Sequence, residues 1–336
     1  MTGDQSIMQF YRQIFGGSWM TQGVWVAAEL GIADLLAQGP LTAKELAERT
    51  HSNSDALYRV LRALAGTGVF TQDELGRFAL TPLGNMLRSD VAGSQKAFSM
   101  MMGAEFYRTW GELLHTVKTG EQGFRKGFGK TFFDYMTENH ERHGIYDAAM
   151  QGVHGGETGP MLDAYDFGQF RTVADIGGGN GSALAAILER YHGMQGILFD
   201  LPSVADRARP VIEDAGLSSR CRIEGEDFFS SIPEGADAYV LRHVIHDWED
   251  SDAVTILRNC RKAMKDGGKV LVVEMVVPPG NDPGFGKWLD LMMLLVGGRE
   301  RTEEEYRRLF FAAGLMLHRV IPTAADVSIL ECVRAS

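Results

Sequence analysis

The sequence predicts an α/β protein, with a C-terminal doubly wound sheet preceded by a smaller, mainly helical domain. Three stretches carry that prediction. Residues 173–182 read VADIGGGNGS, a strand running into a glycine turn and then a helix. Beyond it, β-prone runs alternate with helical ones, the rhythm of a mostly parallel sheet covered on both faces. Residues 41–80 read instead as helix, turn, helix and two-stranded ribbon, a winged-helix pattern.

The chain has 336 residues, enough for one large or two ordinary domains, and its 45% hydrophobic content is that of a globular protein. A formal net charge of -11 argues against nucleic acid or an anionic membrane as the main partner. The start, MTGDQSIMQFYR, has neither the basic residues nor the apolar core of a signal peptide, and the longest apolar stretch, 289–296, is too short to span a bilayer. Cys221, Cys260 and Cys332 are scattered singly and suggest neither a disulfide framework nor a zinc cluster. A cytoplasmic protein without a metal is expected.

Residues 5–37 predict one or two helices, with Trp19, Val24, Ala27, Ala28, Leu30, Ile32, Leu35 and Leu36 on a broad apolar face. Such a face needs cover, and a second subunit is the expected cover. Thr42 and Glu45 form a capping box for the next helix. Ser52 or Ser54 starts another, on which Leu57, Val60, Leu61 and Leu64 recur at helical spacing. A ribbon follows at 69–71 and 78–80. Arg59 and Arg62 lie on the second helix near Asp55 in acidic surroundings, so the module is read as packing rather than as reading DNA.

In the middle of the chain, Met100, Met101, Met102, Phe106 and Trp110 suggest a buried helix. Phe124, Phe128, Phe132, Phe133 and Tyr135 lie in a glycine-interrupted stretch with the look of a lid, and 138–154 is a helix carrying Tyr146 and Met150 on one face. Methionine suits adaptable apolar pockets as well as cores. The expected domains are 1–90, 91–165 as linking helices and lid, and 166–336.

Around the glycine turn the residues point to a cofactor. Asp175 ends the first strand, and Asp200 ends a second, in LFDLP, about 20 positions beyond the turn, where an acid accepts hydrogen bonds from a ribose diol. The glycines run D-x-G-G-G-x-G rather than in the dinucleotide order G-x-G-x-x-G. An acid at Asp175 repels phosphate and welcomes a cationic amino group, which favours S-adenosylmethionine (SAM). After Asp200 come a helix at 204–215, a strand at 222–224, a loop to Asp227 and Phe228, and a strand at 238–241 leading into RHVIHDWED. A helix at 251–263, a strand at 270–273 ended by Glu274, and a helix around 289–295 follow. Thr302 with Glu305 caps one more helix, and a hairpin at 316–322 and 328–333 closes the chain.

With DIGGGNG, FDLP at 199–202 and HDW at 246–248 in one chain, the sequence resembles the SAM-dependent O-methyltransferases of the plant caffeic acid/flavonoid and bacterial aromatic natural-product type. The likeness covers nearly the whole chain: N-terminal dimerisation helices, winged-helix module and a Rossmann-like class I methyltransferase sheet. It implies a homodimer and cofactor contacts at Asp175, Gly177, Gly179, Asp200, Leu201, Asp227, Phe228 and Arg242. Arg242 stands where the family carries lysine, and Glu226 where it usually carries glycine. The resemblance also implies His246 as the catalytic base, supported by Glu274 and Glu300, and an acceptor pocket walled by Tyr146, Met150, Trp248 and Met293.

The chemistry suits those residue types. A phenol of pKa about 10 becomes a good nucleophile as its proton leaves, and histidine, at about 6.5, can accept that proton. Carboxylates beside the ring orient it and stabilise the imidazolium. Asp247 fits either a ligand contact or a cap for the next helix. Two other readings stay open: a SAM-binding relative that hydroxylates or decarboxylates an aromatic polyketide, and a SAM-sensing winged-helix regulator without catalysis.

Overall fold

Local capping signals set the N-terminal part of the computed structural model, which describes Tyr11 and residues 15–335. Helices Gly16–Glu29 and Ile32–Leu36 fall within the apolar stretch; of residues 5–37, 5–10 and 12–14 lie outside the described residues. Ala27, Ala28, Ile32 and Leu36 are buried, whereas Trp19 is 69% exposed, so only part of the apolar face is covered within the chain. Thr42 accepts the Glu45 N–H, and the Glu45 carboxylate takes the Thr42 N–H at 2.7 Å, the reciprocal box that starts helix Ala43–Thr50. Helix Ser54–Gly66 is capped by Asn53, whose side-chain oxygen accepts the Ala56 N–H at 2.9 Å, and not by Ser52 or Ser54. Serine and asparagine both cap well, so composition alone could not choose among the three positions.

Strands β1 (Leu41–Thr42), β2 (Phe70–Gln72) and β3 (Arg77–Leu80) make a small sheet in the order β1-β3-β2. A two-residue strand is too short to show alternation, which hid β1 from the sequence. The described residues divide into two bodies: one of residues up to 113 with 127–154, the other of 114–126 with 155 onward. In the first, a π-helical turn, Met102–Phe106, interrupts the expected buried helix and turns Glu105 inward. Both Glu105 oxygens then receive Arg142, from Nε and Nη2 at 2.6 Å each. The glycine-interrupted stretch folds into two short helices, Gly123–Phe128 and Phe132–Glu138, and the helix expected over 138–154 runs His140–Ala164.

The second body is built on strands β4 (Thr172–Ile176), β5 (Gln195–Asp200), β6 (Cys221–Gly225), β7 (Ala238–Arg242), β8 (Lys269–Met275), β9 (Leu315–Pro322) and β10 (Val327–Arg334). Their order is β6-β5-β4-β7-β8-β10-β9, parallel except for the two pairings that β10 makes with β8 and β9. Successive residues face opposite sides: Ala174, Ile176, Tyr239, Leu241, Val270 and Val272 fill one core, while Val173, Val240, Leu271 and Val273 fill the other. The strand order reverses between β4 and β7, which places a crevice beyond their carboxyl ends. Among the described residues, no helix is long and apolar enough to cross a membrane.

One buried charge ties the antiparallel edge to the rest. Glu331 on β10 is 1% exposed and receives the Tyr165 hydroxyl, Lys269 Nζ at 2.8 Å and Arg319 Nε and Nη2 at 3.1 Å. Burial pushes its carboxyl upward, but the hydrogen bonds from Arg319, Lys269 and Tyr165 outweigh this and hold it down at about 2. A carboxyl lowered on folding stabilises above its unfolded pKa and loses that contribution as pH falls through the folded value. Glu331→Gln is therefore expected to cost about 2–3 kcal/mol at neutral pH. In denaturant melts, the gap from wild type should stay constant above about pH 5 and close as pH falls toward 2; a pH-independent gap would show that the charge is not what holds the edge.

Candidate active site

The turn after β4 is shaped by close approach. Gly177 has φ +68°, and a Cβ there would lie 2.7 Å from Val244 Cγ2. The glycine turn thus rests against the loop that follows β7. Asp200, at the end of β5, accepts the Gly179 N–H at 2.9 Å through Oδ2 and the Leu201 N–H at 2.7 Å through Oδ1. Asp175 is buried at 2% exposure, and its Oδ2 has no hydrogen-bond partner. Burial pushes its carboxyl up to about 6, against the lowering pull of the Arg242 charge. A buried, unpartnered carboxylate oxygen at a sheet's carboxyl edge is a site for a donor or a cation.

The remaining residues expected on the cofactor side surround the same crevice edge. Arg242 ends β7 and donates Nη1 to Thr158 Oγ1 at 2.8 Å. Asp227 Oδ1 accepts the Phe229 N–H at 2.9 Å, a local turn that presents Phe228. Trp248, expected at the acceptor, stands edge-on to Phe228 and Phe229, with ring centroids 5.8 and 4.8 Å away. Asn259 Nδ2 fixes that aromatic loop through the carbonyls of Phe228 and Phe229.

Beyond β7 the chain turns sharply. His243 has φ +53°, a left-handed conformation that few non-glycine residues adopt, and Ile245–Asp247 form a single 3₁₀ turn. Glu274 lies inside β8 rather than at its end, and is fully buried. Its Oε1 accepts the backbone N–H groups of Val244, Ile245 and His246 at 3.1, 2.6 and 3.1 Å, and its Oε2 accepts the Tyr306 hydroxyl. One carboxylate therefore satisfies the whole inner face of the turn that carries His246.

His246 is 8% exposed, and its Nδ1 lies 2.6 Å from Glu300 Oε1. Asp247 Oδ1 stands 3.6 Å from Nε2 on the opposite side of the ring. Asp247 does not cap the following helix, Asp250–Ala263, whose N-cap position is Glu249. Burial alone would lower the His246 pKa; the charge of Asp247, the Glu300 hydrogen bond and charge, and the Glu274 charge overcome it and raise it to about 10. Burial raises Glu274 and Asp247 as well, so this histidine shares its surroundings with carboxyls that are themselves easily protonated. His243, with its ring centroid 5.3 Å from that of His246, behaves oppositely: burial, then the charges of His246 and Arg242, push it well below ordinary histidine. Its Nε2 meets Glu157 at 2.7 Å.

The second body thus brings together His246, Glu274 and Glu300, and gathers Asp175, Gly177, Gly179, Asp200, Leu201 and Arg242 around the adjoining turn. Met293 is buried on helix Gly286–Val296, and its carbonyl accepts the N–H groups of Gly297 and Gly298. Tyr146 and Met150 belong to the first body, where Tyr146 packs edge-to-face on Phe132 at 5.2 Å. Sequence reasoning missed Tyr306 and Arg301, both buried beside the His246 turn, and the Glu157–His243 pair. Arg301 carried a usable signal, a cation directly after Glu300 in RERTEEEY; nothing local marked the other contacts.

A family profile described as an O-methyltransferase domain matches residues 110–316, and an O-methyltransferase dimerisation domain matches residues 12–90. A phenazine O-methyltransferase of Lysobacter antibioticus, PhzM, is 46% identical over 320 residues, covering 95% of this chain and 94% of its own. The aclacinomycin 10-hydroxylase RdmB of Streptomyces purpurascens is 37% identical, covering 93% of this chain and 86% of its own. Among solved structures, an O-methyltransferase from neocarzinostatin biosynthesis, NcsB1, in complex with SAM and 2-hydroxy-5-methyl naphthoic acid, has a TM-score of 0.83 at 34% identity, with 94% of this chain and 96% of that one covered. The glycine turn, the reversed strand order and the buried histidine with its carboxylates therefore stand in a chain that belongs to the O-methyltransferase family, with that family's dimerisation domain at its N-terminus.

Proposed function

We propose that this enzyme transfers a methyl group from SAM to a hydroxyl of a small aromatic acceptor, with His246 as general base and no metal taking part. The observation that carries the proposal is the 2.6 Å contact between His246 Nδ1 and Glu300 in a buried setting, next to the glycine turn. It leaves Nε2 as the nitrogen that receives a proton. SAM, when bound, supplies a methyl group activated by a sulfonium.

The residues of the crevice fit that cofactor. The unpartnered Asp175 Oδ2 would receive its cationic amino group, Asp200 its ribose hydroxyls, and Phe228 its aromatic base. Arg242 supplies a cation for its carboxylate. On the acceptor side, Met293 and Trp248 of the second body offer the apolar, polarisable surfaces that suit a flat ring.

The raised basicity of His246 matters for the chemistry. In its unprotonated form a histidine made more basic by its carboxylates accepts a phenol proton more readily than an ordinary histidine does, and it reaches that form only as pH rises. Glu300 and Asp247 flank the two ring nitrogens, and Glu274 adds its charge through the turn. The hydroxylase-named relative keeps one other outcome in view: the same pocket yielding a hydroxylated rather than a methylated product.

Incubation with SAM and a panel of phenolic acids, flavonoids and hydroxyquinones should give a methylated product by mass analysis, and a hydroxylated product instead would refute the assignment. His246→Ala is expected to keep the fold and SAM affinity while lowering turnover about 10²–10⁴-fold. Retention of more than about a tenth of wild-type turnover across the pH range in which the wild type is active, with chemistry rate-limiting, would remove His246 from the role of base.

For the cofactor, calorimetry should show Asp200→Ala and Asp175→Asn each weakening SAM about 10- to 100-fold, the scale of one charge-assisted hydrogen bond. Unchanged affinity in both would contradict the placement. The protein should also run as a homodimer by light scattering at micromolar concentration, and loss of residues 1–37 should give an aggregating or inactive chain; a stable, active monomer would contradict that.

A further inference from the structure

Residues 299–301 hold the His246 turn at three consecutive positions. The Arg299 N–H donates to the His246 carbonyl at 2.7 Å, and Gly298 permits that approach, since a Cβ there would lie 2.2 Å from the same oxygen. Glu300 takes the ring nitrogen. Arg301, 1% exposed, then reaches beneath the turn: Nη1 donates to the Ile245 carbonyl at 3.1 Å and Nη2 to the Trp248 carbonyl at 2.8 Å. These carbonyls bracket His246 in the chain. Nε and Nη2 also meet Asp250 Oδ1 at 3.0 and 2.8 Å, and Nη1 meets the Arg299 carbonyl at 3.3 Å. The backbone of Arg301 is anchored independently, its carbonyl accepting the Val277 N–H at 3.0 Å just beyond β8.

A single arginine thus ties two carbonyls of the turn to Asp250 and to its own strand of chain through one planar donor fork, a geometry that an ammonium point charge cannot reproduce. Glu274 accepts three of the turn's N–H groups, and Arg301 donates to two of its carbonyls. Helix capping does not explain it, because the guanidinium engages carbonyls before the helix that begins at Asp250. We propose that Arg301 is a positioning residue for catalysis: its guanidinium fixes the turn so that the His246 ring is held against Glu300. The inference rests on the reading of His246 as base. Loosening the clamp lets the ring drift from its carboxylate, which costs rate rather than affinity, since a misplacement of about 1 Å at a reacting group lowers rates up to about 10²-fold.

The test uses the full-length protein labelled with nitrogen-15 histidine, with the His246 signals assigned by their absence from His246→Ala. The groups facing that ring are Glu300 from residues 299–301, Glu274 from β8, Asp247 from its own turn and the neighbouring His243. Arg301→Lys should lose the downfield Nδ1 proton shared with Glu300, and its His246 titration midpoint should fall toward the free-histidine value of about 6.5. The kcat for the acceptor chosen by the panel should drop about 10- to 100-fold with the SAM dissociation constant unchanged. If Arg301→Lys does not fold, Asp250→Ala carries the test, removing the outer anchor of the fork, and the same shifts should follow in smaller degree. A folded variant whose His246 signals and midpoint match wild type would overturn the proposal. Full turnover in His246→Ala would instead overturn the base assignment, and the resonance shift would still report whether Arg301 places the ring.

Discussion

The site depends on one buried carboxylate. Glu274 has no exposure to water, and a lone carboxylate there would be untenable. Three backbone N–H groups of the turn after β7 and the Tyr306 hydroxyl converge on it. Each of those N–H groups would cost about 1–3 kcal/mol if left buried and unpaired. The turn and the carboxylate therefore require one another. The left-handed backbone at His243 is held by that arrangement, since a turn entered at φ +53° carries strain that only its surroundings can offset.

From that constraint the rest follows outward. The fixed turn sets Val244 against Gly177, so the glycine loop after β4 and the histidine after β7 are built as one piece across the point where the strand order reverses. It also presents the His246 ring to Glu300 on one side and Asp247 on the other. The two histidines, with ring centroids 5.3 Å apart, are driven in opposite directions. His246, among carboxylates, is made more basic; burial, then the charges of His246 and Arg242, push His243 well below ordinary histidine even with Glu157 2.7 Å from its Nε2. Neighbouring groups of one residue type thus acquire different proton affinities from their environments alone.

Much of this was legible in the sequence where the physics is local. The capping boxes at Thr42–Glu45 and Thr302–Glu305 depend on residues three apart, and both form. The strand–glycine turn–helix at 172–190 needs only β-prone residues, glycines and a helical run in succession. What stayed hidden was of longer range or lower contrast. Glu274 was read as a charge near the histidine, but its bonds go to backbone groups that any sequence possesses. Arg301 and Tyr306 reach turn and carboxylate from 56 and 32 positions away, and neither partner constrains the other's identity in a way a single sequence displays. The packing of Trp248 against Phe228 and Phe229 likewise depends on how two loops of the sheet edge meet, which no local pattern displays.

Carboxylates make this one buried histidine more basic than a free one. The most direct test is the pH dependence of single-turnover methyl transfer in wild type and Glu300→Gln. Removing the Glu300 charge takes away stabilisation of the imidazolium and lowers the pKa of His246. The wild-type rate should therefore rise with pH along a limb centred well above the free-histidine value of about 6.5, and the Glu300→Gln limb should move to lower pH. The same limb in both proteins, centred at or below the value for free histidine, would contradict the account.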